Sequence, residues 1–254
     1  MLNSGNIDGW EIAAQCEYPL KVINNPITRL WNRWISHPRR VKKLAKKLIA
    51  DGRCDLVHIT DQEQSHLVPK SCGVPVTITV HDLFHIFPEM LQVGEDVIEV
   101  GDSNPGIFRR QDLKKLTKGL ARSDFLMCNS RHTHQASKQN FPTTPSVCIP
   151  MGIDSSRYHP DALEQIELNL PDKCNILIVG SNDPRKRMRF LCEVIGSLSQ
   201  PIRDSVHIHH VGNGGANSGL PPIIDMAKQH NIANWTEHGG SVSDQYLMTL
   251  RVSC

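Results

Sequence analysis

The sequence predicts an α/β protein with largely parallel sheets. Six short apolar runs rich in β-branched residues recur along the chain. Most are near-continuous rather than alternating, the pattern of strands covered on both faces. Segments with apolar residues at helical spacing lie between many of them, the order expected of parallel strands joined by helices.

The elements follow in order. Val41, Leu44, Ala45, Leu48 and Ile49 form one apolar stripe in the basic stretch from Pro38 to Ile49, with Trp31 and Trp34 just upstream. An outer helix packing that stripe on a sheet, lysines in water, explains the pattern. So does a helix lying on an anionic membrane surface. Asp55–Ile59 and Val74–Val80 are the first two strands, and Leu113, Leu116 and Leu120 mark the next helix. Phe125–Cys128 and Ser146–Ile149 are the third and fourth strands. The stretch from Pro150 to Asp172 holds Gly152, Pro160 and Pro171 among polar residues and reads as a connection between two domains, 1–160 and 161–254. Ile176–Val179 and Val206–Val211 are strong strands of the second domain. A helix begins around Ile223, Ile224, Met226 and Ala227, a weak strand lies in Trp235–Gly240, and a last helix spans Ser243–Leu250. So few strands leave an open edge, and the second domain reads as incomplete.

Bulk properties narrow the function. The 254 residues suit one large or two modest domains. A net charge of +2 with 5% aromatic residues argues against a nucleic-acid partner. The eight cysteines form no Cys-x-x-Cys pair and several sit in apolar runs, which points to buried reduced thiols rather than a disulfide framework. No apolar run approaches the ~20 residues of a spanning helix, and no leader-like apolar segment opens the chain. The expectation is a cytoplasmic protein, at most peripheral at the inner face of the membrane.

Ligands of open α/β sheets bind outside the carboxyl ends of the strands. Three such ends carry suitable chemistry. Ile176–Val179 runs into Gly180, Ser181, Asn182, Asp183 and Pro184, followed by Arg185, Lys186 and Arg187. Gly180 allows a sharp turn, Pro184 suits a first helical position, and amides at a helix start attract phosphate. Cations at a helix start oppose its dipole, so an anionic ligand explains them better than a solvated surface does. His81 and Asp82 close the second strand, where an acid/base or hydrogen-bonding role and a plain capped strand end both fit. His81 and His85 lie four apart but follow a strand and lack the glutamate of a zinc helix. Gly212, Asn213, Gly214 and Gly215 end the sixth strand, where glycines admit close approach to the backbone. His207 and His209 share a strand face before them, but no carboxylate or cysteine pair nearby supports a metal.

Several motifs resemble, in order and spacing, the retaining GT-B glycosyltransferases of the "glycosyl transferases group 1" family. Asp55–His58 resembles its D-V-V-H strand, Pro75–Asp82 its P-V-V-V-T-x-H-D, and Cys128–Arg131 its N-S strand end. Ile149–Asp154 resembles I-P-N-G-I-D with Met151 in place of Asn. The stretch Val179–Arg187 resembles V-G-x-x-x-P-R-K-N, and His210–Gly214 resembles V-G-x-G. The resemblance implies two Rossmann-like domains, an N-terminal one for the acceptor and a C-terminal one for a nucleotide sugar. It implies metal-independent sugar transfer with retention to a glycan or lipid-linked acceptor, as in polysaccharide biosynthesis. The nucleotide sugar is then a substrate, with no cofactor. By the same resemblance Lys186 neutralises the donor diphosphate, with Gly180, Ser181, Asn182, Arg185, Gly212 and Gly214 around it, and His81 and Asp82 lie on the acceptor side near the transferred sugar.

Three departures bear on activity. The family's first strand and its acidic E-x7-E motif are missing from the chain, and Ser181 stands where an arginine is frequent. A truncated hexosyltransferase with weak or no turnover of its own is therefore expected. The alternative is a non-catalytic relative that binds a nucleotide sugar or a partner protein. A nicotinamide-dependent oxidoreductase is disfavoured, because no first strand leads into G-x-G-x-x-G with an acid about 20 residues on.

Overall fold

The computed structural model describes residues 9–18, 25–93, 96–153, 159, 166–217 and 220–254. Asp154 and the expected domain boundary at 160/161 lie outside them. The chain divides into two compact units, Met1–Pro88 with Gly101–Met151, and Glu89–Val100 with Gly152–Cys254.

In the first unit, α1 (Pro26–Trp31) runs through a π-helical turn (Asn32–Ser36) into α2 (His37–Ala50). Asn25 accepts from the Ile27 amide and starts the helix, with proline at its first position. The α2 stripe Val41, Leu44, Ala45, Leu48 and Ile49 is half-buried, while Lys42, Lys43, Lys46 and Lys47 are exposed. That is an outer helix of the ordinary amphipathic kind. The strands β1 (Val57–Ile59), β2 (Val76–Val80), β5 (Phe125–Cys128) and β6 (Ser146–Cys148) form a parallel sheet in that order. Val76, Ile78 and Val80 are buried, and Thr77 and Thr79 between them are half-buried. One face of β2 is thus fully packed and the other partly wet. The core gathers Ile59, Ile78, Val80, Leu120, Leu126 and Cys128.

Helix α3 (Ile107–Leu120) is fixed by backbone proximity and by charge. A methyl group on Gly119 would fall 1.9 Å from the Ser65 carbonyl oxygen, in the 3-10 turn Gln62–Leu67. Arg33 grips Asp112 with a two-pronged fork, 2.8 Å on each arm. Arg109 holds Glu63 at 2.9 Å on each arm and Asp112 at 3.0 Å. The Trp34 indole N–H adds a bond to Asp112 at 3.1 Å. Paired forks of this geometry satisfy charges that would be costly to bury alone. Helix α4 (Arg131–Asn140) follows β5 directly, capped by Ser130.

The second unit holds β7 (Cys174–Val179), β8 (Val206–Val211) and β9 (Trp235–Glu237), all parallel. Helices α5 (Met188–Ser197), α6 (Gln200–Ser205), α7 (Ile223–Gln229) and α8 (Asp244–Ser253) complete it. Its core is Met188, Cys192, Ile195, Ile208, Ile223, Met226, Ala227 and Ile232. As an edge strand, β7 buries none of its residues fully and leaves Val179 44% exposed, unlike the doubly covered strand its composition predicts. An antiparallel hairpin of β3 (Glu89–Val93) and β4 (Asp96–Val100) also groups with this unit. Two runs with polar and apolar residues intermixed, two residues apart with glycine first, carry that signal in the sequence.

All eight cysteines are free, but only Cys128 and Cys192 are buried; four are half-buried, and Cys174 and Cys254 are exposed. Burial pushes the Cys192 thiol up to about 11, so it is an inert packing group at neutral pH. No helix among the described residues is long and apolar enough to cross a membrane.

Candidate functional site

In the second unit the loops after β7, β8 and β9 are stitched together by their backbones. The Gly180 amide donates to Val211 O, Asn182 to Asn213 O, Gly212 to Gly239 O, and His238 to His210 O, all at 2.8–2.9 Å. The two glycine turns lie back to back, because a methyl group on Gly212 would fall 1.9 Å from the Gly180 carbonyl oxygen. Only a residue without a side chain fits there. The amides of Ser181, Asn213 and Gly214 have no partner among the described residues. Such donors at the carboxyl end of a sheet form an anion-binding concavity. Lys186 is exposed and its stem folds back over the turn, with Cγ and Cδ 3.8 Å from a β-carbon placed on Gly180.

Three residues of the predicted set behave otherwise. Asn182 is 1% exposed. Its side-chain amide donates to Gly215 O at 3.0 Å and Pro221 O at 2.8 Å, and its own carbonyl accepts from Asn217 at 2.9 Å. It fastens three loop segments together instead of meeting a ligand. Arg185 is held by Asp183, whose carboxylate takes both its amide at 3.1 Å and its Nε at 3.3 Å. Pro184 opens a 3-10 turn, Pro184–Lys186, not the α-helix; α5 begins at Met188, after Arg187 turns left-handed at φ 57. Asp183 satisfies the Arg185 and Lys186 amides of that short turn, so the backbone donors left open there are those of Ser181, Asn213 and Gly214.

A histidine relay lies beside this turn. Asn175 Oδ1 is 2.9 Å from His209 Nε2, His209 Nδ1 is 3.1 Å from His238 Nε2, and His238 Nδ1 is 3.0 Å from the Tyr246 hydroxyl. Burial first, then His207 and His238, lower His209 to about 4, so it is neutral near pH 7. Among the described residues no group of three or more His, Cys, Asp or Glu side chains is placed to hold a metal ion.

In the first unit His81 closes β2. Its amide donates to Gln62 Oε1 at 2.9 Å, its carbonyl accepts from Thr133 Oγ1 at 3.2 Å, and its Nε2 lies 3.1 Å from the Thr60 carbonyl. A carbonyl only accepts, so in the neutral ring Nε2 carries the proton and Nδ1 the lone pair. Asp82 Oδ1 and Asn129 Oδ1, at the ends of β2 and β5, are both buried without a partner among the described residues. Two unsatisfied acceptors at adjacent strand ends are unusual in a packed unit. His85 follows in the turn after β2, so the two histidines do not share a helix face.

The sequence profile of Glycosyltransferase Family 4 matches residues 9–157, more than half of the chain. The chain belongs to this family. Glycosyltransferase family 4 is thus the sequence relationship, and solved structures supply the fold. An α,α-trehalose-phosphate synthase (UDP-forming) from Burkholderia xenovorans, solved in complex with glucose-6-phosphate, is 12% identical with a TM-score of 0.55, over 90% of this chain and 57% of that one. The N-terminal domain of trehalose-6-phosphate phosphatase from Candida albicans is 12% identical with a TM-score of 0.56, over 85% and 53%. Trehalose-6-phosphate synthase OtsA is 14% identical with a TM-score of 0.53, over 85% and 54%. No curated protein sequence matches the chain. The fold is that of GT-B glycosyltransferases with Rossmann-like domains. The chain spans little more than half the length of these solved proteins.

Two features escape the sequence. The orphan Asp82 and Asn129 oxygens become visible only once β2 and β5 are paired. The tie made by Asn182 depends on Gly215 and Pro221, which local reading does not connect to it.

Proposed function

We propose that the chain carries the core of a glycosyltransferase that moves a hexose from a nucleotide-sugar donor to a glycan or lipid-linked acceptor, with retention. The second unit binds the donor diphosphate. The carrying observation is the set of unpartnered amides at Ser181, Asn213 and Gly214 beside Lys186. Negative charge grows on the diphosphate as it leaves, and a cation fixed at that place stabilises the transition state more than the ground state. Three backbone donors with one lysine make a metal-independent route chemically sufficient, with no cofactor. In the first unit, His81 presents the lone pair of Nδ1 and serves the sugar and acceptor together with Asp82.

Binding without transfer is the second reading. It is favoured by Arg185, which Asp183 already occupies, and by Ser181 in place of an arginine. Calorimetric titration with UDP-, GDP- and ADP-sugars, followed by a transfer assay, tests both. Binding that falls on Lys186→Ala supports the donor site, and turnover then decides for the enzyme. Stabilisation by NAD alone overturns both.

The same proposal includes work in the cytoplasm, with a peripheral contact to the inner membrane face through residues 31–49. Support comes from Trp31, 55% exposed, on the continuous helical run that carries the exposed lysines of α2.

A further inference from the structure

His210 is the one histidine of the β8 run that is completely buried, at 0% exposure. Its ring lies against Gly180, Gly212 and Gly214. Nε2 is 2.8 Å from the Gly180 carbonyl oxygen and 3.2 Å from a β-carbon placed on Gly212. Cε1 is 3.4 Å from one placed on Gly214. On its other side, Nδ1 is 2.7 Å from Glu237 Oε2, whose second oxygen takes the Trp235 indole N–H.

Both ring nitrogens therefore face oxygens. The Gly180 carbonyl can only accept, so Nε2 carries a proton. The close Nδ1–carboxylate contact needs a proton of its own, on either partner.

The bond to Gly180 has a consequence one atom further on. The Gly180 carbonyl and the Ser181 N–H belong to a single planar trans peptide, so they point in opposite directions. Pulling the carbonyl down onto a buried ring turns the Ser181 amide outward. We propose that His210, held by Glu237, is a positioning residue that orients the Ser181 amide for the donor diphosphate. This inference rests on the donor-site reading of the same turn. An apolar side chain at position 210 fills the space equally well but leaves the peptide free to rotate.

The test titrates the 254-residue chain with UDP, GDP and ADP and with the three matching nucleosides. His210→Phe keeps a ring and removes both donors. It is expected to weaken the diphosphate that binds by about tenfold, the loss of one oriented charge-assisted bond, with nucleoside affinity unchanged. Glu237→Leu weakens it less, and Glu237→Gln recovers part of what Glu237→Leu loses, because an amide can donate to Nδ1. His210→Phe leaves Glu237 Oε2 without its ring partner, so the unmodified protein is also followed by 15N NMR. There the His210 Nε2–H and Ser181 amide signals are expected to move on addition of the diphosphate and not of the nucleoside. Diphosphate affinity unchanged in folded His210→Phe, or a Ser181 amide unmoved by bound diphosphate, overturns the proposal while the donor site stands. If the unmodified chain binds none of the three diphosphates, the donor-site reading fails first and this inference falls with it.

Discussion

Gly212 stands directly behind Gly180, so close that a β-carbon on the first would overlap the carbonyl of the second at 1.9 Å. A β-carbon on Gly180 meets only the Lys186 stem and the end of Met188 at 3.8 Å. Both glycines sit at the edge of the region side chains avoid, with φ near +155. Gly212→Ala must therefore move backbone, while Gly180→Ala bears only conformational strain. The expected losses of unfolding free energy are about 3 kcal/mol and about 1 kcal/mol. Urea midpoints of the two variants check the order, and equal midpoints would contradict the back-to-back packing.

The Arg33–Asp112 fork makes the first unit sensitive to acid. Burial alone raises the Asp112 carboxyl, but Arg33, Trp34 and Arg109 outweigh it and hold the group below its ordinary 3.8. A depressed carboxyl contributes stability above its unfolded value, and that contribution fades as pH falls through the folded value. Unfolding free energy should thus drop further below about pH 3.8. Asp112→Ala should remove roughly 3 kcal/mol at pH 7, because half-buried Arg33 loses its two-pronged partner and keeps only Glu63, and should flatten the acid limb. Chemical denaturation between pH 2 and 7 reads both effects.

His66 acts in a higher window. Burial first, then Arg33, lower it from 6.5 to about 4, and its buried Nδ1 has no partner among the described residues. The unfolded chain binds this proton from pH 6.5 downward and the folded chain only near 4. Stability is then full above 6.5, declines as pH falls toward 4, and levels below that. His66→Gln retains a donor for the Arg33 carbonyl and should shrink the decline between pH 6.5 and 4. An unchanged slope in that interval would show that the His66 site is open to water.

These effects separate what the sequence shows from what it conceals. Continuous apolar runs located β2, β5 and β8 closely, because burial in a parallel sheet dictates composition residue by residue; β7 was located by the same composition although it lies at an edge and buries no residue fully. The hairpin β3–β4 was legible in principle, from two short mixed runs set two residues apart by Gly94-Glu95, but a parallel pattern on both sides masks it. The start of α5 was not legible. Asp183-Pro184 reads equally well as the opening of a helix or of a 3-10 turn, and nothing in Arg187 announces a left-handed residue. Buried His210 looks like its neighbours His207 and His209 until the β8–β9 register sets it against Glu237. Long-range pairing decides which of three similar side chains becomes structural.

The aromatic end of the first helix offers a membrane test. Trp31 is 55% exposed, and Ile27 is 76% exposed four residues before it. If the basic helix meets an anionic surface, the chain should sediment with phosphatidylglycerol vesicles and not with neutral phosphatidylcholine, and release as salt is raised. Trp31→Ser should cut the bound fraction severalfold without changing the melting temperature. Equal binding to both vesicle types would argue for a plain solvated helix.

The donor site is the central claim, and Lys186 tests it most directly. Titration of the chain with UDP, GDP and ADP by calorimetry should find one of them binding. Lys186→Ala should weaken that ligand by about tenfold to a hundredfold, the worth of one charge-assisted contact to a phosphate, with the melting temperature of the free protein unchanged. A nucleoside diphosphate that binds equally well to Lys186→Ala, or no binding by the unmodified chain, would contradict the account.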